Sequence, residues 1–345
     1  MVKGVRTLGI IDSLSAGYRL IARRWWLVLI PILLDLFLWM GPQLSIAEVI
    51  QGLKGQLVAP AGMELSEEYQ NTLKQMRQLM DQAAENANLL ALLGAGIPGI
   101  PSLMAGSSPE ATLLPLERPV VRLAGPVEAI LWGITLLLAG TLLASLYVCW
   151  IGRVVLVERN KDQPRIAWPA HAFRTWVRVL LFILGILLLM LVIGVPIMLL
   201  VGMMMLLSQA VGILMLNLAS IFLIWFGIWV AIYLYFVVDA IVLNHVNLLR
   251  AVWNSVNVVL RNFWATVGLI VLINVISAGM TLIWQRLMFA SWSVLLGIVA
   301  NAFIGTGLTA ASLIFYLERF KRWQATRETS SLSVLFGGWG GRKPS

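Results

Sequence analysis

Carboxylates inside long apolar segments are the side chains of this chain with the clearest chemical potential. An ionisable group placed in the apolar part of a membrane is costly, so it is a functional candidate by default. Asp35 lies about two-thirds of the way along the apolar segment 25–41. It could take part in ion or proton movement, or it could simply pair with a neighbouring helix. Asp239 follows the apolar run 211–238, where we expect it to be solvated or to cap the next helix.

Three asparagines extend this set of polar groups. Asn217, Asn274 and Asn301 lie in three further apolar segments. Amide side chains in membranes commonly hydrogen-bond between helices, and together with Asp35 they could instead line a polar intramembrane path. Both interpretations stay open at this point.

Metal chemistry and covalent catalysis find little support in the residue types. His171 and His245 are too few and too far apart in sequence to indicate a metal cluster, and we expect His245 to be solvated. Cys149 is the single cysteine, which excludes an intramolecular disulfide and a cysteine zinc site. The chain has no His-x-Glu metal box and no set of serine, histidine and aspartate on one side of the membrane. We therefore expect no metal, no cofactor and no enzymatic activity.

The composition explains why these polar groups are so isolated. Of 345 residues, 60% are apolar and 12% are charged, whereas a soluble domain has about 25% charged residues. The mean hydropathy is +0.88. These values exclude a soluble globular enzyme and predict an integral membrane protein with several spans.

Six apolar segments are long enough to cross a bilayer as helices, which takes about 20 residues. Tryptophans lie near the ends of several of them, as expected for residues at the membrane interface. The stretch 177–243 could instead contain three spans, an alternative that conflicts with the distribution of charge. The six predicted spans are Trp25–Gly41, Val127–Ile151, Val177–Leu207, Val211–Val238, Ala265–Trp284 and Ser293–Tyr316.

The charges of the connecting segments predict the orientation of the chain. Residues 1–24, 151–178, 240–264 and 317–345 have net charges of +4, +4, +2 and +4, whereas residues 42–125 have −3. Because Lys and Arg are enriched in cytoplasmic loops, we predict that both termini are cytoplasmic and that the chain resides in a plasma membrane. The same distribution explains the net charge of +9 without nucleic-acid binding.

Stretches ahead of three spans have apolar residues at helical spacing, and we predict that they form helices in the cytoplasmic interface. Shorter examples are residues 11–25 and 171–180. The longest has one apolar face, made by Val242, Val246, Leu249, Trp253, Val256, Leu260 and Phe263. Its opposite face, predicted to face water, is made by Asn244, Asn247, Arg250, Asn254, Asn257 and Arg261.

The basic residues of these interfacial stretches predict contacts with anionic lipid headgroups. Membrane lipids are therefore the expected partners, and a membrane protein is a further candidate partner. The candidate headgroup-binding residues are Arg23, Arg24, Arg174, Arg250 and Arg261.

Residues 42–125 are the one sizeable segment outside the predicted spans. Apolar residues at alternating spacings of four and three predict an amphipathic helix, with Ser66 as its N-cap. The apolar run 89–106 that follows is interrupted by Gly and Pro, so we predict a loop at the interface rather than a span. The apolar face of the helix is made by Tyr69, Leu73, Met76, Met80, Ala83, Ala87 and Leu90.

Small residues in the sixth span predict close packing between helices. Gly297, Asn301 and Gly305 recur at every fourth position, as do Gly307 and Ala311.

An internal repeat organises these elements. ARRWWLVLIPILL (22–34) aligns with LRNFWATVGLIVL (260–272), which places Arg23 on Arg261 and Trp26 on Trp264. The predicted fold is an all-α integral membrane protein with six transmembrane helices in three pseudo-repeats, each an interfacial helix followed by a pair of spans. The predicted segments are 1–41 (interfacial helix and first span), 42–125 (extracytoplasmic insertion), 126–163 (second span and basic loop), 164–240 (third and fourth spans), 241–323 (interfacial helix and last two spans) and 324–345 (flexible cytoplasmic tail).

The interfacial stretch that ends in Arg-Asn-Phe-Trp (261–264) and runs into a Gly-containing apolar span resembles a diverse group of bacterial membrane proteins. These are the YciC-like proteins and the membrane domain fused to some glycerophosphodiester phosphodiesterases. The likeness covers residues 165–323 best and 8–40 in part. It implies a fold and a membrane location, but no reaction, because no room remains for a phosphodiesterase barrel of about 250 residues.

Three functional hypotheses follow. The leading one is a non-enzymatic membrane protein that binds lipid or supports a partner complex. The alternative is a small transporter or export component whose polar path includes Asp35, Asn217, Asn274 and Asn301. The third is a membrane enzyme that acts on lipid headgroups.

Overall fold

A computed structural model describes residues 9–56, 67–86, 88–97, 99–106, 118–159 and 168–337. The predicted N-cap Ser66 and the stripe residue Ala87 lie outside these residues. The helices are α1 (Ile10–Arg23), α2 (Leu29–Met40), α3 (Ala47–Gln56), α4 (Glu67–Asn86), α5 (Pro126–Glu158), α6 (Trp168–Leu207), α7 (Gln209–Tyr233), α8 (Val237–Asn244), α9 (Leu248–Arg261), α10 (Phe263–Leu287) and α11 (Ser291–Gly337). Two 3-10 turns, Trp25–Val28 and Leu89–Leu93, and two short strands, β1 (Gln43–Ser45) and β2 (Val120–Arg122), complete the described elements.

Within the described residues, five helices are long and apolar enough to cross a membrane. They comprise α5, α6, the α7–α8 segment, α10 and α11, which is consistent with an all-α membrane protein. The 3-10 turn Trp25–Val28 and α2 together form a shorter apolar helix of residues Trp25–Met40. The stretch 177–243 contains two long helices separated at Ser208, followed by the eight-residue α8.

The chain divides into two compact units. Unit 1 contains residues 1–24, 148–277 and 307–345. Unit 2 contains residues 25–147 and 278–306. The boundaries fall within α5, α10 and α11, so the two units do not follow the predicted segments of the chain.

In unit 1, α1 packs closely onto α11 through small residues. A Cβ atom on Gly17 would lie 2.6 Å from the Gly307 carbonyl oxygen and 2.8 Å from the Ala311 nitrogen. Leu20 and Ile21 on the same side of α1 are buried. Helix α1 therefore packs against the small residues Gly307 and Ala311 of α11, as their spacing predicts.

A break between α7 and α8 is stabilised by one hydroxyl group. The helix ends at Tyr233 and resumes at Val237, which leaves backbone groups without helical partners. The Ser255 hydroxyl, on α9, accepts a hydrogen bond from the Phe236 N–H (3.2 Å) and donates one to the Tyr233 carbonyl (2.8 Å). The Ser255 hydroxyl therefore links α9 by hydrogen bonds to the residues on both sides of the break.

The stretch 242–263 is largely helical, as predicted, but two details of the prediction are wrong. The helix is not continuous, because residues 245–247 separate α8 from α9 and His245 adopts a left-handed conformation (φ 55°). Asn254, assigned to the water-facing side, is buried together with Ser255 and Val258. The 171–180 stretch forms no separate element, because α6 runs unbroken from Trp168 to Leu207.

In unit 2, the strands and the first helices of the insertion form a small folded region. Strands β1 and β2 pair in parallel, with Leu44 opposite Val121. Helices α3 and α4 pack together, and Lys54 forms an ion pair with Asp81 (2.6 Å). The sequence predicted α4 but neither α3 nor the strands, because elements this short have little periodicity to detect.

The Gly/Pro-rich run after α4 packs against small residues of unit 2. Ile100, Leu103 and Met104 are buried, and a Cβ atom on Gly305 would clash with Pro101. The prediction of a loop here is correct. The prediction of helix packing is wrong for Gly305, which faces Pro101 of this loop. A Cβ atom on Gly297 would meet both Leu103 of the loop and Trp284 of α10.

Candidate functional site

The five arginines predicted to bind headgroups all belong to unit 1, and all are exposed. They are Arg23 and Arg24 at the end of α1, Arg174 in the first turns of α6, and Arg250 and Arg261 on α9. Arg23 forms an exposed ion pair with Glu158 (2.9 Å). We call these five residues the arginine surface.

Helix α9 presents a divided outer face. At about 100° per residue, Leu249, Trp253 and Leu260 share one strip of the helix, and Arg250 and Arg261 share the adjacent strip. Leu249 is 84% exposed and Trp253 is 61% exposed. An apolar strip beside a basic strip is the arrangement of a helix that lies in a membrane interface, with its apolar side in the acyl region and its cations at the headgroups.

A cleft of about 270 Å³ lies where α1 meets α5 and α11. Arg19, Arg23 and Arg159 line it, but Glu158 does as well. Arg23 is paired with Glu158, and Arg159 is paired with Glu318 at 2.8 Å. Because two of its three arginines already contact carboxylates, this cleft is a weak candidate for an anionic ligand.

The structure brings the two histidines together, which sequence spacing did not indicate. The Nδ1 atoms of His171 and His245 are 3.1 Å apart. Arg178 donates hydrogen bonds to the His245 carbonyl (3.2 Å) and to Asn247 Oδ1 (3.4 Å). The expectation that His245 is solvated is wrong, because its ring packs edge-on against the buried His171.

Asp239 is also not solvated. It is buried and accepts a hydrogen bond from the Ser312 hydroxyl (2.7 Å). Asp239 lies inside α8, whose N-cap residue is Phe236, so the capping role is wrong as well. One helical turn away, Asn244 Nδ2 donates to the Tyr316 hydroxyl (2.7 Å). These two contacts join α8 to α11 and have the geometry of structural links.

Asp35 is fully buried in unit 2 and fixes the Gly/Pro-rich loop. Its carboxylate accepts hydrogen bonds from the Ser102 hydroxyl, the Leu103 N–H (2.9 Å) and the Met104 N–H (3.1 Å). The Ser102 oxygen also accepts from the Ala105 N–H (3.0 Å). A carboxylate with three donors is well suited to hold a loop in place.

The asparagines of the predicted polar path are divided between the two units. Asn217 and Asn274 are exposed in unit 1, and the Asn274 amide donates to the Ile270 carbonyl of its own helix (2.8 Å). Asn301 is half-buried in unit 2, which also contains Asp35. The transport path therefore stays a prediction from the sequence.

Among the described residues, no group of three or more His, Cys, Asp or Glu side chains is placed to hold a metal ion. No protein-family model, curated protein or solved structure matches the chain. The resemblance to the YciC-like group accordingly stays a prediction.

Proposed function

We propose that this chain is a non-enzymatic multi-pass protein of the bacterial inner membrane that binds anionic lipid through the arginine surface. The observation that carries the proposal is the outer face of α9, where Arg250 and Arg261 lie beside exposed Leu249 and Trp253. An anionic headgroup would meet the guanidinium groups while its acyl chains meet the apolar strip. Interfacial cations are each worth about 1 kcal/mol toward an anionic leaflet.

The proposed topology has six spans and both termini in the cytoplasm. The basic segments at 1–24, 151–178, 240–264 and 317–345 support this orientation. The proposed repeat is supported by α1 and α9, which are both 14 residues long and end at the aligned residues Arg23 and Arg261.

The hairpin of α6 and α7 supports an accessory or structural role in a membrane complex. The two helices pack on one another, and almost all of the most apolar part of α6 is exposed. Such a surface requires lipid or a second membrane protein to cover it.

The proposal is tested by native mass spectrometry of the protein reconstituted in a mixture of phosphatidylglycerol and phosphatidylcholine. We expect wild type to retain phosphatidylglycerol preferentially. The double reversal Arg174→Glu with Arg250→Glu should lower the number of retained anionic lipids, because both arginines belong to the arginine surface and are exposed.

The matched control is Arg122→Glu with Arg286→Glu, which reverses two exposed arginines of unit 2. It should leave the retained anionic lipid unchanged. An equal loss in both variants, or no preference for phosphatidylglycerol in wild type, would overturn the proposal.

A further inference from the structure

A second cleft in unit 1 has the composition of a phosphate-binding site. It has a volume of about 280 Å³ and lies between α9 and residues 323–327 of α11. Its described lining consists of two arginines, two tryptophans and two uncharged polar residues, with no carboxylate. These residues are Trp253, Asn257, Arg261, Trp323, Thr326 and Arg327.

The two arginines supply the donors of this cleft. The guanidinium carbon of Arg327 lies 5.9 Å from the centre of the Trp323 ring, a cation–π contact that restricts where the side chain can go. Arg261, the last residue of α9, lines the same cleft. A planar guanidinium offers paired N–H donors that match two oxygens of one phosphate.

The uncharged polar residues of the cleft mainly shape its walls. Asn257 Nδ2 donates to the Trp253 carbonyl (2.8 Å), and the Thr326 hydroxyl donates to the Arg322 carbonyl (3.0 Å). The Thr326 hydroxyl proton and one of the two Asn257 amide N–H donors are therefore used within their own helices. Binding of an anion in the cleft would depend chiefly on Arg261 and Arg327.

Trp253 connects the cleft to the membrane. It lines the cleft and also belongs to the exposed apolar strip with Leu249 and Leu260. Tryptophan prefers the depth of the lipid headgroups, so the cleft opens where phosphates of the bilayer lie. A lipid can place its phosphate in the cleft and its acyl chains along the strip, which a free phosphate cannot do.

We propose that this cleft is a specific site for the phosphate of an anionic glycerophospholipid. The inference rests on the proposed lipid-binding function and deepens it by assigning one lipid to one site. A zwitterionic lipid is disfavoured because its ammonium group would lie near two guanidinium groups.

The test compares Arg261→Gln/Arg327→Gln with the matched pair Arg19→Gln/Arg153→Gln, which removes the same charge at two exposed positions of unit 1 outside the arginine surface. Native mass spectrometry with phosphatidylglycerol should show one lipid that survives collisional activation in wild type and in the matched pair. In the cleft variant we expect its affinity to fall about tenfold or more, because two charge-assisted contacts are lost. The variant Arg261→Lys/Arg327→Lys should recover only part of that affinity, because lysine keeps the positive charge but lacks the paired N–H donors of a guanidinium.

The outcomes separate this inference from the proposed function. If the cleft variant retains the tightly held lipid, the inference is overturned, although general enrichment of anionic lipid would still support the proposed function. If wild type shows no preference for phosphatidylglycerol over phosphatidylcholine, both fail. Displacement of the lipid by millimolar inorganic phosphate would contradict the assignment to a membrane lipid.

Discussion

Asp35 is predicted to hold the loop 99–106 in place. In Asp35→Ala the buried N–H groups of Leu103 and Met104 lose their acceptor, and each unsatisfied group costs about 1–3 kcal/mol. We therefore expect the amide hydrogens of both residues to exchange at least tenfold faster, as measured by hydrogen–deuterium exchange. Asp35→Asn retains one acceptor oxygen and should lie between this variant and wild type.

The control for this prediction is Glu48→Gln, which changes an exposed carboxylate of the same unit. It should leave exchange in the loop unchanged. Wild-type exchange in Asp35→Ala would show that the carboxylate does not position the loop.

His245 is predicted to be sensitive to substitution because of its backbone as much as its ring. Its left-handed conformation (φ 55°) costs an ordinary L-residue about 1–2 kcal/mol, and glycine escapes that cost. Both His245→Gly and His245→Val lose the contact with His171, but only valine adds the backbone strain. We expect the valine variant to be less stable by about 1–2 kcal/mol in denaturant unfolding in detergent. Equal stabilities would contradict the left-handed geometry.

At the scale of residues, the sequence indicated which polar groups take part in the main contacts. It was a poorer guide to the surroundings of those groups. It selected Asp35, Asp239 and the histidines, but it placed Asp239 and His245 in water. His171 and His245 are 74 positions apart in the chain, and only the packing of α6 against the α8–α9 turn brings them into contact. Such pairings depend on tertiary structure, for which helical spacing holds no information.

At the scale of elements, the crossing of α1 and α11 yields a prediction about Gly17. Gly17→Ala would place a methyl group against the Gly307 carbonyl, and such overpacking costs about 1–3 kcal/mol. We expect a lower unfolding temperature in detergent. Gly185→Ala is the matched control, because a Cβ atom there meets nothing within 4 Å; it should be neutral or slightly stabilising, since alanine favours helix. A neutral Gly17→Ala would mean that α1 does not pack this closely.

The boundaries of elements were predictable where residue types change abruptly. The turn at Ser208 interrupts a long apolar run, and α6 ends at Leu207 as predicted. The burial of Asn254 was not predictable. An amide on a helix face is assigned to the water-facing side unless it is known that a partner helix covers that face. The loop over Gly297 and Gly305 was missed for a related reason: small residues indicate close approach but not what approaches.

At the scale of the whole molecule, composition alone was sufficient for the class of protein. Sixty per cent apolar residues and five long apolar helices agree on a helical membrane protein. The division into two units was not predictable, because its boundaries fall inside α5, α10 and α11, and a continuous helix shows no change in sequence where its packing partners change.

The number of membrane crossings depends on whether the segment Trp25–Met40 spans the bilayer. It has 16 residues, about 24 Å at 1.5 Å per residue, against a hydrocarbon core of about 30 Å. Local thinning of the bilayer could accommodate this difference. We therefore expect it to cross, which places α1 in the cytoplasm and the insertion outside.

Membrane-impermeant maleimide labelling of intact cells checks this topology. Single cysteines are introduced by Ser15→Cys, Glu48→Cys or Gln324→Cys, all at exposed positions, in a Cys149→Ala background. With six spans, only the Glu48→Cys protein is labelled until the cells are permeabilised. If Trp25–Met40 does not cross, the chain has five spans, and positions 15 and 48 must be labelled together while position 324 stays protected. That result would move Arg23 and Arg24 to the opposite side of the membrane from Arg250 and Arg261, and the arginine surface could not act on one leaflet.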